Sequence, residues 1–104
     1  MLPQTGILTT TERAVYTVPQ RTFAEIDWIT VVNPNNSLVG LNVSITVRGS
    51  KVRIVPTGFQ LQNYGMYKEE QVLRLDEGSI LWMTGTTIGL EYVISGKEIV
   101  YAKL

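Results

Sequence analysis

Residues 22–32 read Thr22-Phe23-Ala24-Glu25-Ile26-Asp27-Trp28-Ile29-Thr30-Val31-Val32, the longest strand signal in the chain. Side chains alternate between the two faces of a strand. Ala24, Ile26, Trp28, Thr30 and Val32 are therefore expected on one face, with Glu25 and Asp27 on the other. Ile29 and Val31 make that second face apolar too. This half of the strand is expected to be covered on both sides, with Ile29 and Val31 against a neighbouring subunit. Asn33-Pro34-Asn35-Asn36-Ser37 then forms a turn.

The flanking segments repeat the pattern. Upstream, Arg13 to Val18 reads as a strand ended by Pro19. Downstream, Leu41 to Arg48 alternates, with Leu41, Val43, Ile45 and Val47 inward. Gly49-Ser50 is a two-residue hairpin signal, and Lys51 to Val55 returns with Val52 and Ile54 inward. Pro56 to Gly65 reads as a loop. Met66 to Gln71 holds residues that favour a helical turn but is too short to stand alone. Val72 to Leu75, Ile80 to Met83, Thr87 to Ser95 and Glu98 to Ala102 complete the strands, with a turn at Ser95-Gly96-Lys97. About eight strands at short spacing predict an all-β fold, an antiparallel β-sandwich or jelly roll in a single domain. Residues 1–12 are expected as an N-terminal arm and 13–104 as the sandwich.

Composition agrees. Of 104 residues, 33 are Val, Ile or Thr and only three are Ala. Stiff β-branched side chains suit a pleated surface, whereas alanine suits a helix. The 44% hydrophobic and 17% charged fractions describe a folded chain. A domain of this size has a modest core, and without cysteines it has no disulfide to reinforce it, so oligomerisation is the expected remedy.

The charge count excludes more than it identifies. Nine basic and nine acidic residues give a formal net charge of zero, and there is no Cys or His. Zinc sites with Cys or His ligands, thiol or imidazole catalysis and histidine switching are excluded within the chain. A neutral balance argues against nucleic acid as partner. No apolar run is long enough for a membrane-spanning helix, and the N-terminus lacks the charged and apolar regions of a signal peptide, so synthesis in the cytoplasm is expected. Leu2-Pro3-Gln4-Thr5-Gly6 resembles a sorting signal but lies at the wrong end of the chain. The sequons at Asn35 and Asn42 have no route to a glycan without secretion.

Few residues invite chemistry. Glu25 with Asp27, and Asp76 with Glu77, are close carboxylate pairs. The first lies on one strand face with no visible acid/base partner, and the second reads as turn chemistry. No catalytic, cofactor or metal role is therefore assigned, and no enzyme activity is expected. Arg48, Lys51 and Arg53 form a basic hairpin edge, read either as a contact with an acidic surface or as edge-strand protection. Phe59, Tyr64, Met66 and Tyr67 lie in and beside the long loop, read either as interface anchors or as a cover for one end of the sandwich. Trp28 and Trp82 read as core residues.

The order of segments adds a resemblance. Ala14-Val15-Tyr16-Thr17-Val18-Pro19 is followed by the long strand ending at Asn33. Leu73-Arg74-Leu75-Asp76-Glu77-Gly78-Ser79-Ile80-Leu81 then precedes Gly85-Thr86-Thr87-Ile88, and Tyr92-Val93-Ile94-Ser95-Gly96-Lys97-Glu98-Ile99 comes last. This arrangement, over residues 13 to 100, resembles a group of small β-sandwich virion proteins of tailed bacteriophages. Two turns depart from that group, at Pro19-Gln20-Arg21-Thr22 and at Thr86 or Thr87. The resemblance implies a structural protein of the virion that is not an enzyme. It would be a capsid decoration (cement) subunit, expected as a homotrimer on the major capsid protein, or else a neck, tail or fibre adaptor bound to other virion proteins. A carbohydrate-binding module with an exposed Trp or Tyr platform is the reading from outside that group.

Overall fold

A computed structural model describes residues 2–101; Met1 of the expected arm and residues 102–104, including the end of the last expected strand, lie outside the described residues. Ten strands follow in order: β1 (Gln4–Ile7), β2 (Arg13–Thr17), β3 (Thr22–Val32), β4 (Val39–Val47), β5 (Ser50–Arg53), β6 (Gln60–Leu61), β7 (Met66–Glu69), β8 (Leu73–Leu75), β9 (Ile80–Gly85) and β10 (Glu91–Val100). They form two antiparallel five-stranded sheets. In the first, β1 pairs with β10 and β10 with β3; the far side of β3 takes β7 along Ile29–Val32 and β8 along Ala24–Ile26. In the second, β2 pairs with β9 and β9 with β4; the far side of β4 takes β5 and β6. The architecture is the β-sandwich expected from the sequence, elongated to 53 × 23 × 21 Å.

The inner faces are apolar. Ala24, Ile26, Ile29, Val31 and Ile94 from the first sheet meet Leu41, Val43, Leu81 and Met83 from the second, all fully buried. The faces of β3 are not those read from the sequence. Trp28 pairs with Ser95, but the next partner of β10, Gly96, faces Ile26. Asp27 is thus an extra residue, a β-bulge, and one extra residue exchanges the two faces. Before the bulge Ala24 and Ile26 point inward, and after it Ile29 and Val31 do. Trp28, Thr30 and Val32 turn to the outer face and are half-buried. Ile29 and Val31, expected as subunit contacts, are core residues with 0% exposure.

Gly96 is what lets the strands close at this point. A Cβ there would lie 2.1 Å from the Glu25 carbonyl oxygen and 2.9 Å from Ile26 Cα. The expected turn at Ser95-Gly96-Lys97 is therefore not a turn: β10 runs unbroken past it. Three further expectations change. The segment read as an arm contains β1 and the buried Leu8, so it belongs to the sandwich. Met66–Glu69 is a strand, because the free side of β3 offers it a ladder that outweighs helix propensity. The hairpin turn is Arg48-Gly49, not Gly49-Ser50: both residues have positive φ (54° and 80°), the type I′ geometry that matches strand twist.

Candidate functional site

Three loops meet at one end of the sandwich, and Asn33 organises them. Its side chain is buried, and Nδ2 reaches the carbonyls of Ser37 (2.8 Å), Leu61 (3.4 Å) and Gln62 (2.9 Å). Its Oδ1 accepts the Asn35 N–H at 3.0 Å. One side chain thus ties the β3–β4 connection to the β6–β7 connection. Backbone bonds reinforce the joint: the Asn33 N–H donates to Gly65 O (2.8 Å) and the Tyr64 N–H to Asn35 O (3.2 Å). Asn63 Nδ2 also donates to Asn36 Oδ1 at 3.3 Å.

The β9–β10 connection joins from the other side. The Gly40 N–H donates to Thr86 Oγ1 at 2.8 Å, and the Thr86 N–H to Gly40 O at 3.0 Å. Gly89, at φ +118°, lies beside the Asn35 amide, and its N–H donates to Leu8 O at 3.1 Å.

Leu38, Tyr64 and Ile88 project from these connections, with Met66 and Ile7 at the adjoining ends of β7 and β1. Each has half or more of its surface open. Tyr64 reaches 68% while held at φ +55°, a left-handed conformation that bulky residues rarely adopt. Residues 7–10, 33–41, 59–66 and 84–90, which supply this pole, contain no Asp, Glu, Lys or Arg. The nearest charge along the sheet is Glu91, between Ile7 and Val32 in the row that ends at Met66. The pole is therefore apolar groups set among amides and hydroxyls.

The other pole holds charges that satisfy one another. Arg48 lies 3.9 Å from Asp76, both well exposed. Glu77 accepts the Arg21 N–H (2.9 Å) and the Tyr101 hydroxyl (2.8 Å). Those two bonds, the backbone one foremost, hold its carboxyl below the usual range. Arg74 stacks 4.0 Å over the Phe23 ring.

Of the sequence candidates, the structure brings only Tyr64 and Met66 to the uncharged pole. Phe59 and Tyr67 turn inward and meet edge to face at 5.7 Å against the core. Arg48, Lys51 and Arg53 are exposed along the hairpin, but each has a partner within the chain, Asp76 at 3.9 Å in the case of Arg48. Lys51 is bonded to Glu12 and sits 4.8 Å over the Trp82 ring, and Arg53 bonds Asn42 and, at 3.2 Å, Val55 O. Both tryptophans leave the core for outer faces; Trp82 Nε1 donates to Thr46 Oγ1 at 2.8 Å. Glu25 faces Lys97 at 3.5 Å, while its pair mate Asp27 is carried away on the bulge. Ile7, Leu38 and Ile88 are members of the pole that single-strand patterns do not reveal. Their signal is the absence of charge over several separate stretches that the fold gathers at one end. Compared with family models, with curated proteins and with solved structures, the chain matches none.

Proposed function

We propose that the protein is a binding subunit without catalytic chemistry that docks through its uncharged pole onto another protein. The supporting observation is the group of Leu38, Tyr64, Met66 and Ile88, exposed at the end where the β3–β4, β6–β7 and β9–β10 connections carry no charged residue. The centres of protein interfaces are depleted of charge and enriched in aromatic residues and Met. Rigid aromatic anchors contribute most of the binding energy there, and Tyr64 is held outward by a fixed turn. A tip of a sandwich 23 × 21 Å across is about half the roughly 800 Å² per partner of a standard interface. One such tip therefore calls for several copies bound side by side.

Combined with the segment order of small tailed-phage virion proteins, this supports a capsid decoration (cement) subunit. It would act as a homotrimer seated where major capsid proteins meet, clamping neighbours against internal pressure. The sugar-platform reading is weaker, because the Lys51 ammonium occupies the face of Trp82.

The test is cosedimentation of the full chain with expanded phage heads that lack it. Binding is expected to persist between about 0.05 and 0.5 M salt, because the contact is uncharged. Tyr64→Ala and Ile88→Asp should abolish it with no change in urea midpoint. Failure of the unmodified chain to bind such heads would remove the decoration reading. Copy number separates the adaptor: hundreds per virion for decoration, a few for neck or tail.

A further inference from the structure

The side of the sandwich away from β5 and β6 is open. There β1 pairs only with β10, and β2 only with β9, so both present an unpaired edge among the described residues. Between them lies a cavity of about 330 Å³ with Thr5, Gly6, Ile7, Arg13, Ala14 and Tyr92 around it. Gly6 sits at an inward position of β1, and a Cβ there would fall 2.8 Å from the Tyr92 hydroxyl. Much of that wall is therefore main chain.

The ladder phase shows which main-chain groups face out. The Leu8 N–H donates to Leu90 O at 2.7 Å, so Gly6 and Gln4, two and four residues back, are the hydrogen-bonded partners of Tyr92 and Ile94. Thr5 and Ile7 consequently turn their N–H and C=O groups away from the sheet. Natural sheets protect such edges with charges or bulges. β2 has Arg13 and a bulge at Val15, β5 has Lys51 and Arg53, β7 has Lys68 and Glu69, and β8 has Arg74. Of the edge strands longer than two residues, β1 alone has no charge and no bulge.

Arg13 supplies the second observation. It pairs with Met83, whose side chain points into the core, so Arg13 also faces the gap between the sheets. Among the described residues no carboxylate lies within 4.0 Å of it. The geometry points to an added strand: an extended segment of a partner protein pairs with Thr5 and Ile7 of β1 and places an acidic side chain on Arg13. Main-chain bonds provide the affinity of such additions, and inward side chains the specificity. A second copy of this chain fits less well, because its own β1 is neutral and self-pairing would leave each Arg13 without a counter-charge.

The test uses the full chain and the probe acetyl-Thr-Val-Glu-Val-Thr-amide, read by amide hydrogen exchange. At about 1 mM probe, exchange at Thr5 and Ile7 should slow at least severalfold. Replacing the probe's Glu by Gln should weaken binding about tenfold, the order expected for one charge-assisted bond. Arg13→Gln should weaken the Glu probe equally and leave the Gln probe unchanged. Thr5→Pro removes an outward N–H without touching the β1–β10 ladder and should abolish protection at Ile7. If that variant does not fold, the Arg13→Gln comparison still decides. Unaltered exchange at Thr5 and Ile7, or equal binding of the two probes, overturns the proposal. So does protection that appears with protein concentration alone, which would assign the edge to a second copy.

Discussion

Gly96→Ala is the sharpest test of the fold. The added methyl would sit 2.1 Å from Glu25 O, 2.9 Å from Ile26 Cα and 3.0 Å from Glu25 C. All three atoms are main chain of the facing strand, so no rotamer change relieves the overlap. A carbon–oxygen contact needs about 3.3 Å, and the strands must therefore part by about 1 Å. Ladder bonds near 2.9 Å would then approach 4 Å and cease to be hydrogen bonds. Losing two of them at about 1 kcal/mol each, with looser packing of Ile26 and Ile29, gives about 3 kcal/mol. In a domain of this size that lowers Tm by roughly 15 °C. Urea unfolding monitored by tryptophan fluorescence measures it, with Ser95→Ala as a control expected within about 0.5 kcal/mol. The cause is specific: Asp27 is the residue that forces the bulge. In a chain lacking Asp27, β3 alternates regularly with Ile29 and Val31 still inward, and Gly96→Ala should cost less than about 1 kcal/mol. A loss under about 0.5 kcal/mol in the intact chain, or an undiminished loss in the Asp27 deletion, would refute the bulge and the face assignment that depends on it.

Ile29→Ala should destabilise the isolated chain by about 3 kcal/mol in the same assay, as a core truncation and not an interface one. Arg48→Asn should raise stability by roughly 0.5 kcal/mol in thermal unfolding. It creates the Asn-Gly pair preferred by a type I′ turn, and the exposed Arg48–Asp76 pair it removes contributes little. Tyr16→Phe should flatten the pH profile of the urea midpoint at both ends. Burial, and then the 2.6 Å bond to Glu98, push the Tyr16 hydroxyl above its ordinary 10.0; the same bond foremost holds Glu98 below 4.5. The raised group stabilises fully below about pH 10 and loses that contribution as pH rises further, whereas the lowered group stabilises above about pH 4.5 and loses it as pH falls. Steep limbs that persist in the phenylalanine variant would show that other groups set them.

Local pattern and composition were enough for the fold class. A chain rich in Val, Ile and Thr, with alternating runs separated by Gly, Asn and Pro, has few ways to bury its apolar faces except as paired sheets. The strand from Leu41 is legible because its alternation is unbroken and both neighbours keep register. The strand from Thr22 is not, although its apolar content is just as high. Whether Ile29 points in or out depends on one bulge, and that bulge depends on Gly96, 67 positions beyond Ile29 and absent from any local window. β1 and β7 were likewise unreadable, because each becomes a strand only when a longer neighbour presents an unpaired edge. The candidate site divides the same way. Tyr64 and Met66 are conspicuous as loop residues, but the turn that exposes Tyr64 and the packing that withdraws Phe59 and Tyr67 are tertiary. Uncharged stretches at 33–41, 59–66 and 84–90 are visible along the chain. Only the antiparallel path of the strands, which returns their loops to the same end, makes them one surface.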